Sequence, residues 1–333
     1  TQTLQTLLPI FSAMAEPSSE LAHDFSPLIR IYKDGRVERL LGTATVPPSV
    51  DPISGVQSKD VTVAADPRIA ARLYVPPSVD PEQARPSRKL PLLVYFHGGG
   101  FCIETPYSPT YQNYLTALVA EARVVAVSVD YRRAPEHPLP IAFDDCWTAL
   151  EWVAAQSEGG EPWISDRADL GRVFLAGDSA GGTIAHSMAL RIGLAETPIG
   201  MKLEGLVLIH PYFWGEEAIG KEERDPVNRS MAGRLWRALC PTSGGCDDPL
   251  INPAKEEELR RVGCGRVLVT VAEMDGLRDR GWYYVEVLRK SGWSGTAEVV
   301  ETEEEGHVFH LHRPDCDKAV DLLKRIAAFI NNL

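Results

Sequence analysis

Five apolar stretches recur from residue 90 onward, and they constrain the fold more than any other feature of the sequence. Each is nearly continuous in hydrophobic residues instead of alternating between apolar and polar positions. Strands with this pattern are buried on both faces, which is typical of a parallel sheet covered by helices. The stretches are 90–99, 122–131, 171–179, 203–213 and 265–275. They predict a mostly parallel central sheet.

Helical patterns lie between these stretches. Their apolar residues fall broadly on one face, as in an amphipathic helix. The clearest segments are 143–156, 181–193, 282–292 and 317–332. Strands that alternate with helices predict an α/β fold with helices on both faces of the sheet. Ligands of such sheets bind at the carboxyl ends of the strands, so functional residues are expected there.

Two regions do not follow this alternation, residues 1–45 and 214–250. Within the first, residues 28–41 contain two short runs joined by Asp34-Gly35, which predicts a β-hairpin. Both regions are candidates to cover the carboxyl edge of the sheet. We therefore interpret residues 1–333 as a single domain, with an N-terminal extension and cap at 1–45 and a cap insertion at 214–250.

Composition argues against several kinds of partner. The chain has 34 Lys and Arg against 46 Asp and Glu, for a net charge of −12, and no basic cluster suited to phosphate binding. Nucleic acid is therefore not an expected partner. The six cysteines contain no Cys-x-x-Cys pair, which argues against a structural zinc site. Free thiols in a reducing compartment are predicted. A pairing of Cys240 with Cys246, which flank a glycine-rich loop, stays open.

The expected location is the cytoplasm. No apolar run reaches the roughly 18 residues that a membrane span requires. The N-terminal residues lack the basic region of a signal peptide. Residues 1–13, which precede Met14, are interpreted either as an upstream extension or as a weak targeting segment. The expected partner is a small molecule, and the sequence predicts no oligomeric state.

A candidate nucleophile lies in AGDSAGG, residues 176–182. Gly177 to Gly181 match Gly-x-Ser-x-Gly between a strand pattern and a helix pattern. The flanking glycines relieve crowding at a sharp strand-to-helix turn, which exposes the serine hydroxyl to the cleft. The N-terminus of the following helix favours developing negative charge. The motif predicts Ser179 as a nucleophile, and the alternative is a plain helix N-cap.

HGGGF, residues 97–101, directly follows the first apolar stretch. Its three glycines allow the backbone to approach a ligand and to direct N–H groups at a developing oxyanion. We predict that Gly98 and Gly99 form an oxyanion hole together with the N–H of Ala180, the residue after the nucleophile. The alternative is a flexible glycine turn. His97 is interpreted as structural.

A serine nucleophile needs a base, and the base needs a carboxylate that holds its tautomer. In this kind of site the acid precedes the histidine along the chain. Asp275 ends the last apolar stretch, where its carboxylate faces the cleft, so Asp275 is the predicted acid. Asp279 falls in the first turn of the next helix, where a carboxylate usually serves the helix dipole.

Three histidines lie in EEEGHVFHLHRP, residues 303–314. Gly306 permits a turn after the last strand pattern, so His307 is the predicted base. His310 and His312 lie further along, where the chain leads to the final helix. Their spacing matches no zinc motif, so we predict no metal site. The remaining histidines considered, His137, His186 and His210, are interpreted as structural.

Five ordered segments resemble the plant carboxylesterase family, in the hormone-sensitive-lipase-like group of the α/β-hydrolases. They are HGGGF, DYRRAPEHPLP, GDSAGG, EMDGLRDRG and GHVFHL, and the resemblance extends from about residue 24 to the end. It implies an α/β-hydrolase with an N-terminal cap, a triad of Ser179, Asp275 and His307, and ester hydrolysis without a cofactor. Gly276 departs from the family, which often has proline after the acid.

The same family contains members with other functions. Gibberellin receptors resemble it but lack the catalytic histidine, so the presence of His307 disfavours a receptor. 2-Hydroxyisoflavanone dehydratases and cyclase-like members use a similar site for elimination, and the dehydratases often carry threonine at the nucleophile. Ser179 favours hydrolysis, with elimination as the alternative. No long apolar tunnel is evident and residues 214–250 are rich in charge, so small-acyl esters are the expected substrates. The resemblance implies that their alcohol portion is a plant secondary metabolite.

Overall fold

A computed structural model describes residues 20–77, 89–197, 199–224 and 226–332. The interpretations of residues 1–13, and of the first part of the 1–45 segment, lie outside these ranges. The described chain forms eleven strands. They are β1 (Leu21–Phe25), β2 (Ile29–Tyr32), β3 (Val37–Arg39), β4 (Gln57–Ala65), β5 (Arg68–Val75), β6 (Leu90–Phe96), β7 (Val125–Asp130), β8 (Ala168–Asp178), β9 (Leu203–Ile209), β10 (Arg266–Ala272) and β11 (Thr296–Thr302).

Eight of these strands form the central sheet in the order β11-β10-β9-β8-β6-β7-β5-β4. The strands from β6 to β11 pair in parallel, whereas β5 and β4 are antiparallel and lie at one edge. Each of the five apolar stretches contains most or all of a strand of the parallel part, as predicted. In β6 and β10 every residue after the first is buried, which accounts for their unbroken hydrophobic pattern.

Eight helices connect the strands in the described part of the chain. They are α1 (Pro109–Ala122), α2 (Ile141–Ala155), α3 (Pro162–Ser165), α4 (Ala180–Leu194), α5 (Pro226–Leu239), α6 (Arg278–Lys290), α7 (Phe309–His312) and α8 (Asp317–Asn331). Side chains of β6 alternate between two cores. Leu93 and Tyr95 pack with α1 and α8, whereas Leu92 and Val94 pack on the face of α2, α4 and α6. Helices on both faces were predicted.

The first three strands form a separate antiparallel sheet, which we call the N-terminal sheet. The predicted hairpin joins β2 to β3, and Gly35 adopts φ +86° in its turn. Arg39 attaches this sheet to the rest of the domain. Its Nε donates to the carbonyl of Cys102 (2.7 Å), and its two terminal nitrogens donate to the carboxylate of Glu136 (both 2.7 Å).

Residues 214–250, the insertion segment, contain a 3₁₀ turn at Gly220–Arg224 and helix α5. Leu235 of α5 and Leu28 beside β2 both approach Gly100, which follows β6. A Cβ on Gly100 would lie 3.3 Å from Leu235 Cδ2 and 3.5 Å from Leu28 Cδ1. The N-terminal sheet and the insertion segment therefore meet at the carboxyl end of β6. Over the described residues, no helix has both the length and the apolar character of a membrane span.

Candidate active site

Ser179 occupies the sharp turn between β8 and α4. Its backbone angles, φ 51° and ψ −119°, are unusual for a residue with a side chain. The glycines at either side are required by the closeness of α4 to β6. A Cβ on Gly181 would collide with the carbonyl oxygen of Phe96, and a Cβ on Gly177 would collide with the backbone of Gly181. The Gly-x-Ser-x-Gly pattern therefore reflects backbone contact, which holds the serine at the carboxyl edge of the sheet.

The structure brings the three residues predicted as a triad into one hydrogen-bonded chain. His307 Nε2 lies 2.9 Å from Ser179 Oγ, and His307 Nδ1 lies 2.7 Å from Asp275 Oδ2. The other carboxylate oxygen of Asp275 accepts the N–H of Leu277 at 2.9 Å. Ser179 and Asp275 are each 8% exposed, whereas the His307 side chain is 35% exposed. The site is therefore open to a ligand from the side of the histidine.

Asp279, the alternative acid, points elsewhere. Its carboxylate accepts the backbone N–H of Lys221 at 2.6 Å and pairs with Arg278 at 2.6 Å. It lies in the first turn of α6, as its sequence position indicated. Its contacts attach the insertion segment to α6 instead of orienting His307.

Opposing effects act on the charges of the site. Burial disfavours the protonated imidazole of His307, but the neighbouring Asp275 carboxylate, with a smaller contribution from Asp178, raises its pKa above the ordinary value. Burial would raise the pKa of Asp275, yet His307 and the Leu277 N–H hold it below its ordinary value. Asp275 is therefore ionised at neutral pH and accepts the Nδ1 proton of His307. This tautomer leaves Nε2 as the atom that can accept a proton from Ser179.

The backbone N–H groups of the HGGG residues (97–100) differ in whether they already have a hydrogen-bond acceptor within the protein. The Gly98 N–H donates to the hydroxyl of Tyr111 at 2.7 Å, so it is engaged within the protein. The N–H groups of Gly99, Gly100 and Ala180 have no acceptor in the described part of the chain. The sequence analysis did not single out Gly100. It also could not show that Tyr111 of α1 engages the Gly98 N–H, because the two residues meet only in the folded chain.

The neighbouring histidines have separate surroundings. His210 follows β9, and its Nδ1 accepts the N–H of Val308 at 2.8 Å, which attaches the turn that carries His307. Burial lowers the pKa of His210 to about 3, so it stays neutral. His310 is buried against the ring of Tyr114, with centroids 5.0 Å apart, and His312 is exposed. His97 stacks on Tyr131, with centroids 4.2 Å apart.

A metal held by His307, His310 and His312 finds no support in this arrangement. Within the described ranges, the group whose potential ligand atoms lie within 4.8 Å of one another is His210, Asp275 and His307. His310 and His312 do not belong to it. All six cysteines are free, so Cys240 and Cys246 form no disulfide.

A cavity of about 300 Å³ borders Asp275, but neither Ser179 nor His307 lines it. Trp214 and Met274 contribute apolar surface to it, and Lys221, Glu222 and Arg229 contribute charged groups. The insertion segment contains two tryptophans, and both are buried in the hydrophobic core. Trp214 is 4% exposed and Trp236 is 1% exposed. Of the two, Trp214 lines this cavity.

Comparison with known proteins assigns the chain to a family. A family model for the alpha/beta hydrolase fold matches residues 93–311. Probable carboxylesterase 13 of Arabidopsis thaliana is 49% identical over 323 residues, which cover 94% of this chain and 98% of that protein. The 2-hydroxyisoflavanone dehydratase of Glycyrrhiza echinata is 40% identical over 329 residues, covering 96% and 99%. A thermostable esterase from Pseudomonas putida has a similar structure, with a TM-score of 0.71 and 26% identity over 85% of this chain and 84% of that chain.

These similarities extend over nearly the full length of the plant relatives and over 85% of this chain in the case of the esterase structure. The predicted α/β-hydrolase fold and the predicted family are therefore confirmed. The protein is an esterase of the serine-hydrolase type and belongs to the plant carboxylesterase family of the α/β-hydrolases.

Proposed function

We propose that the protein hydrolyses carboxylic esters through a covalent acyl intermediate on Ser179. The observation that carries the proposal is the hydrogen-bonded chain from Ser179 Oγ through His307 to Asp275, with contacts of 2.9 and 2.7 Å. These are the distances that proton transfer from a serine nucleophile requires. The exposed side of His307 gives a substrate access to both reacting groups.

Each group has a separate role in the proposed reaction. His307 Nε2 takes the Ser179 proton as Oγ attacks the ester carbonyl, and it returns that proton to the departing alcohol. Water then attacks the acyl-serine, again with His307 as the base, and releases the carboxylic acid. Asp275 holds the Nδ1 proton and stabilises the imidazolium that forms in each step.

The oxyanion of the tetrahedral intermediate needs donors that are not already engaged. We assign this role to the N–H groups of Gly99, Gly100 and Ala180, which have no acceptor among the described residues. Gly98, also expected to contribute, is assigned to Tyr111 instead. Losing one such donor typically lowers kcat by about 10²- to 10³-fold.

The proposed substrates are small-acyl esters of a plant secondary metabolite. Support comes from the insertion segment, whose charged side chains Lys221, Glu222 and Arg229 lie beside Asp275. Charged groups near the site suit a polar alcohol portion better than a lipid. We also propose that the N-terminal sheet and the insertion segment act as a cap within one domain, and that the protein works in the cytoplasm.

Labelling tests the proposed mechanism. A fluorophosphonate should modify Ser179, and peptide mass analysis should find the adduct on the peptide that contains GDSAGG. Ser179→Ala should remove both the label and the esterase activity. Ser230→Ala, a serine of α5, serves as the matched control and should keep both. Modification of another residue, or full activity in Ser179→Ala, would refute the acyl-serine mechanism.

Elimination is the second candidate, favoured by the 40% identity with a dehydratase. A base beside oxyanion donors can stabilise an enolate as well as a tetrahedral intermediate. Reaction in ¹⁸O-water separates the two. Hydrolysis places the heavy oxygen in the carboxylic acid product, whereas elimination releases an alkene without it. Turnover of a 2-hydroxyisoflavanone with no ¹⁸O-labelled acid from any ester would support elimination.

A further inference from the structure

Asp178, the residue before the nucleophile, carries a carboxylate that the proposed mechanism does not use. Its side chain is 1% exposed. One oxygen accepts the hydroxyl of Tyr95 in β6 at 2.8 Å, and the other accepts the hydroxyl of Tyr111 in α1 at 2.9 Å. No lysine or arginine of the described chain pairs with it. Two neutral hydroxyls are therefore its partners.

The Tyr111 hydroxyl connects this carboxylate to the HGGG residues. It donates to Asp178 and accepts the N–H of Gly98 at 2.7 Å. The contact between the two segments is close, because a Cβ on Gly98 would collide with the Asp178 carboxylate. Carboxylate, hydroxyl and amide thus form one chain from the nucleophile turn to the glycine loop.

This chain of hydrogen bonds ends at Gly98, directly before the peptide units of Gly99 and Gly100. Gly99 and Gly100 adopt φ of +94° and +58°, conformations that glycine alone adopts easily, so the loop needs an external anchor to hold one shape. The Tyr111 hydroxyl holds the Gly98 N–H, and the Tyr131 hydroxyl donates to the carbonyls of His97 and Gly98. A shift of about 1 Å in a catalytic group can lower a rate by roughly 10²-fold, so the anchor bears on the reaction.

We propose that Asp178 and Tyr111 are positioning residues, which hold Gly98 so that the free N–H groups of Gly99 and Gly100 face the oxyanion formed on Ser179. The inference rests on the proposed esterase mechanism and assigns the function of a network outside the triad. Neither residue touches the reacting atoms. Both act through the HGGG backbone.

The environment of Asp178 agrees with this role. Burial raises the pKa of Asp178 to about 6, although the hydroxyls of Tyr95 and Tyr111 and the nearby His307 act in the opposite direction. Burial of a carboxylate without a cationic partner carries a cost in desolvation free energy. Perturbed acids of this kind cluster at functional sites.

Tyr111→Phe tests the proposal, because it removes the hydroxyl and keeps the ring. Tyr114→Phe is the matched control. Tyr114 lies one turn further along α1 and its buried hydroxyl has no hydrogen-bond partner in the described structure. Activity is measured on p-nitrophenyl acetate at a pH where His307 is neutral. We expect kcat and kcat/KM of Tyr111→Phe to fall together by about tenfold, as for an interaction made only in the transition state. Tyr114→Phe should match the wild type.

A trifluoromethyl ketone supplies the readout that a structural role would not change. Ser179 Oγ adds to its carbonyl carbon, the serine proton passes to His307, and the carbonyl oxygen becomes the oxyanion. Its inhibition constant should rise in Tyr111→Phe by the same factor as kcat/KM falls. Asp178→Asn, which cannot accept both hydroxyls, should show the same correlation and serves as the second variant if Tyr111→Phe folds poorly.

Two results would overturn the proposal. The first is wild-type kcat and ketone affinity in both variants. The second is a loss of activity with unchanged ketone affinity, which would mean that the oxyanion donors stay in place. Fluorophosphonate labelling of the wild type separates these results from failure of the proposed mechanism. If Ser179 is labelled, only the positioning role is rejected, and if it is not, the mechanism itself is wrong.

Discussion

At the scale of single residues, three histidines within six positions have three different environments. His307 contacts Ser179 and Asp275, His310 is buried against Tyr114, and His312 is exposed. Their order along the chain does not explain this difference. Val308 adopts φ 46° at the start of α7, so the backbone turns sharply after His307 and sends the next side chains away from the cleft.

Alanine variants of the three histidines should differ in activity and in stability. His307→Ala should lower kcat by about 10²- to 10⁴-fold, because a positioned base is lost. His310→Ala should keep most of the activity and lower the free energy of unfolding by about 1–3 kcal/mol, since a buried ring is removed. His312→Ala should change kcat and the free energy of unfolding only slightly. Steady-state kinetics and urea unfolding at one pH measure all three. An inactive His310→Ala beside an active His307→Ala would contradict the assignment.

The pH dependence of kcat/KM reports the pKa of His307. The protonated imidazole cannot accept the serine proton, so activity should fall as the pH decreases through this pKa. Because the pKa is raised, the fall should begin above pH 6.5, the ordinary value for histidine. Asp178→Asn removes a negative charge that raises this pKa, so its acidic limb should move to lower pH. Tyr111→Phe leaves the charge in place and serves as the control. An acidic limb of the kcat/KM profile that moves to higher pH in Asp178→Asn would refute this account.

At the scale of elements, the contact between α4 and β6 determines how closely the nucleophile turn approaches the carboxyl end of β6. Gly181→Ala places a methyl group against the Phe96 carbonyl, which belongs to a central strand and cannot easily move. We expect a loss of about 3 kcal/mol in the free energy of unfolding, at the upper end for overpacking. Gly276→Ala is the control, because nothing lies within 4 Å of its Cβ position. It should change stability by less than about 0.5 kcal/mol. Thermal and urea unfolding check both, and equal effects would contradict the contact argument.

Strands were predictable from the sequence where nearly every residue of the strand is buried. The parallel strands from β6 to β10 are buried on both faces and left continuous apolar patterns. Strand β4 lies at the sheet edge with mixed burial and was not predicted. Helix α1 was not predicted either. Its buried residues, among them Tyr111, Leu115, Leu118 and Ala122, lie on one face at helical spacing, so the signal for this helix was present in the sequence.

At the scale of the whole molecule, the N-terminal sheet and the insertion segment meet beside Gly100, at the carboxyl end of β6. The insertion segment places the charged side chains of Lys221, Glu222 and Arg229 beside Asp275. We therefore expect p-nitrophenyl acetate and butyrate to be hydrolysed with a kcat/KM at least about tenfold above that of the palmitate ester, ~1.4 kcal/mol in transition-state binding. A series of acyl chain lengths under matched detergent conditions measures this. Preference for palmitate would refute the small-acyl assignment.

The amino-acid order alone was sufficient for the α/β-hydrolase fold, for the family, and for the choice of Ser179, Asp275 and His307 as candidates. The α/β class and the candidate residues follow from local patterns, because two-sided burial makes strands apolar and a sharp strand-to-helix turn requires glycines on both sides of the serine. The α/β-hydrolase family follows from the resemblance of five ordered motifs. The engagement of Gly98 by Tyr111 and the anchoring of the His307 turn by His210 could be seen only in the folded chain. Each joins residues that are 13 or 98 positions apart, and which hydrogen-bond donor remains free depends on distances that no local pattern encodes.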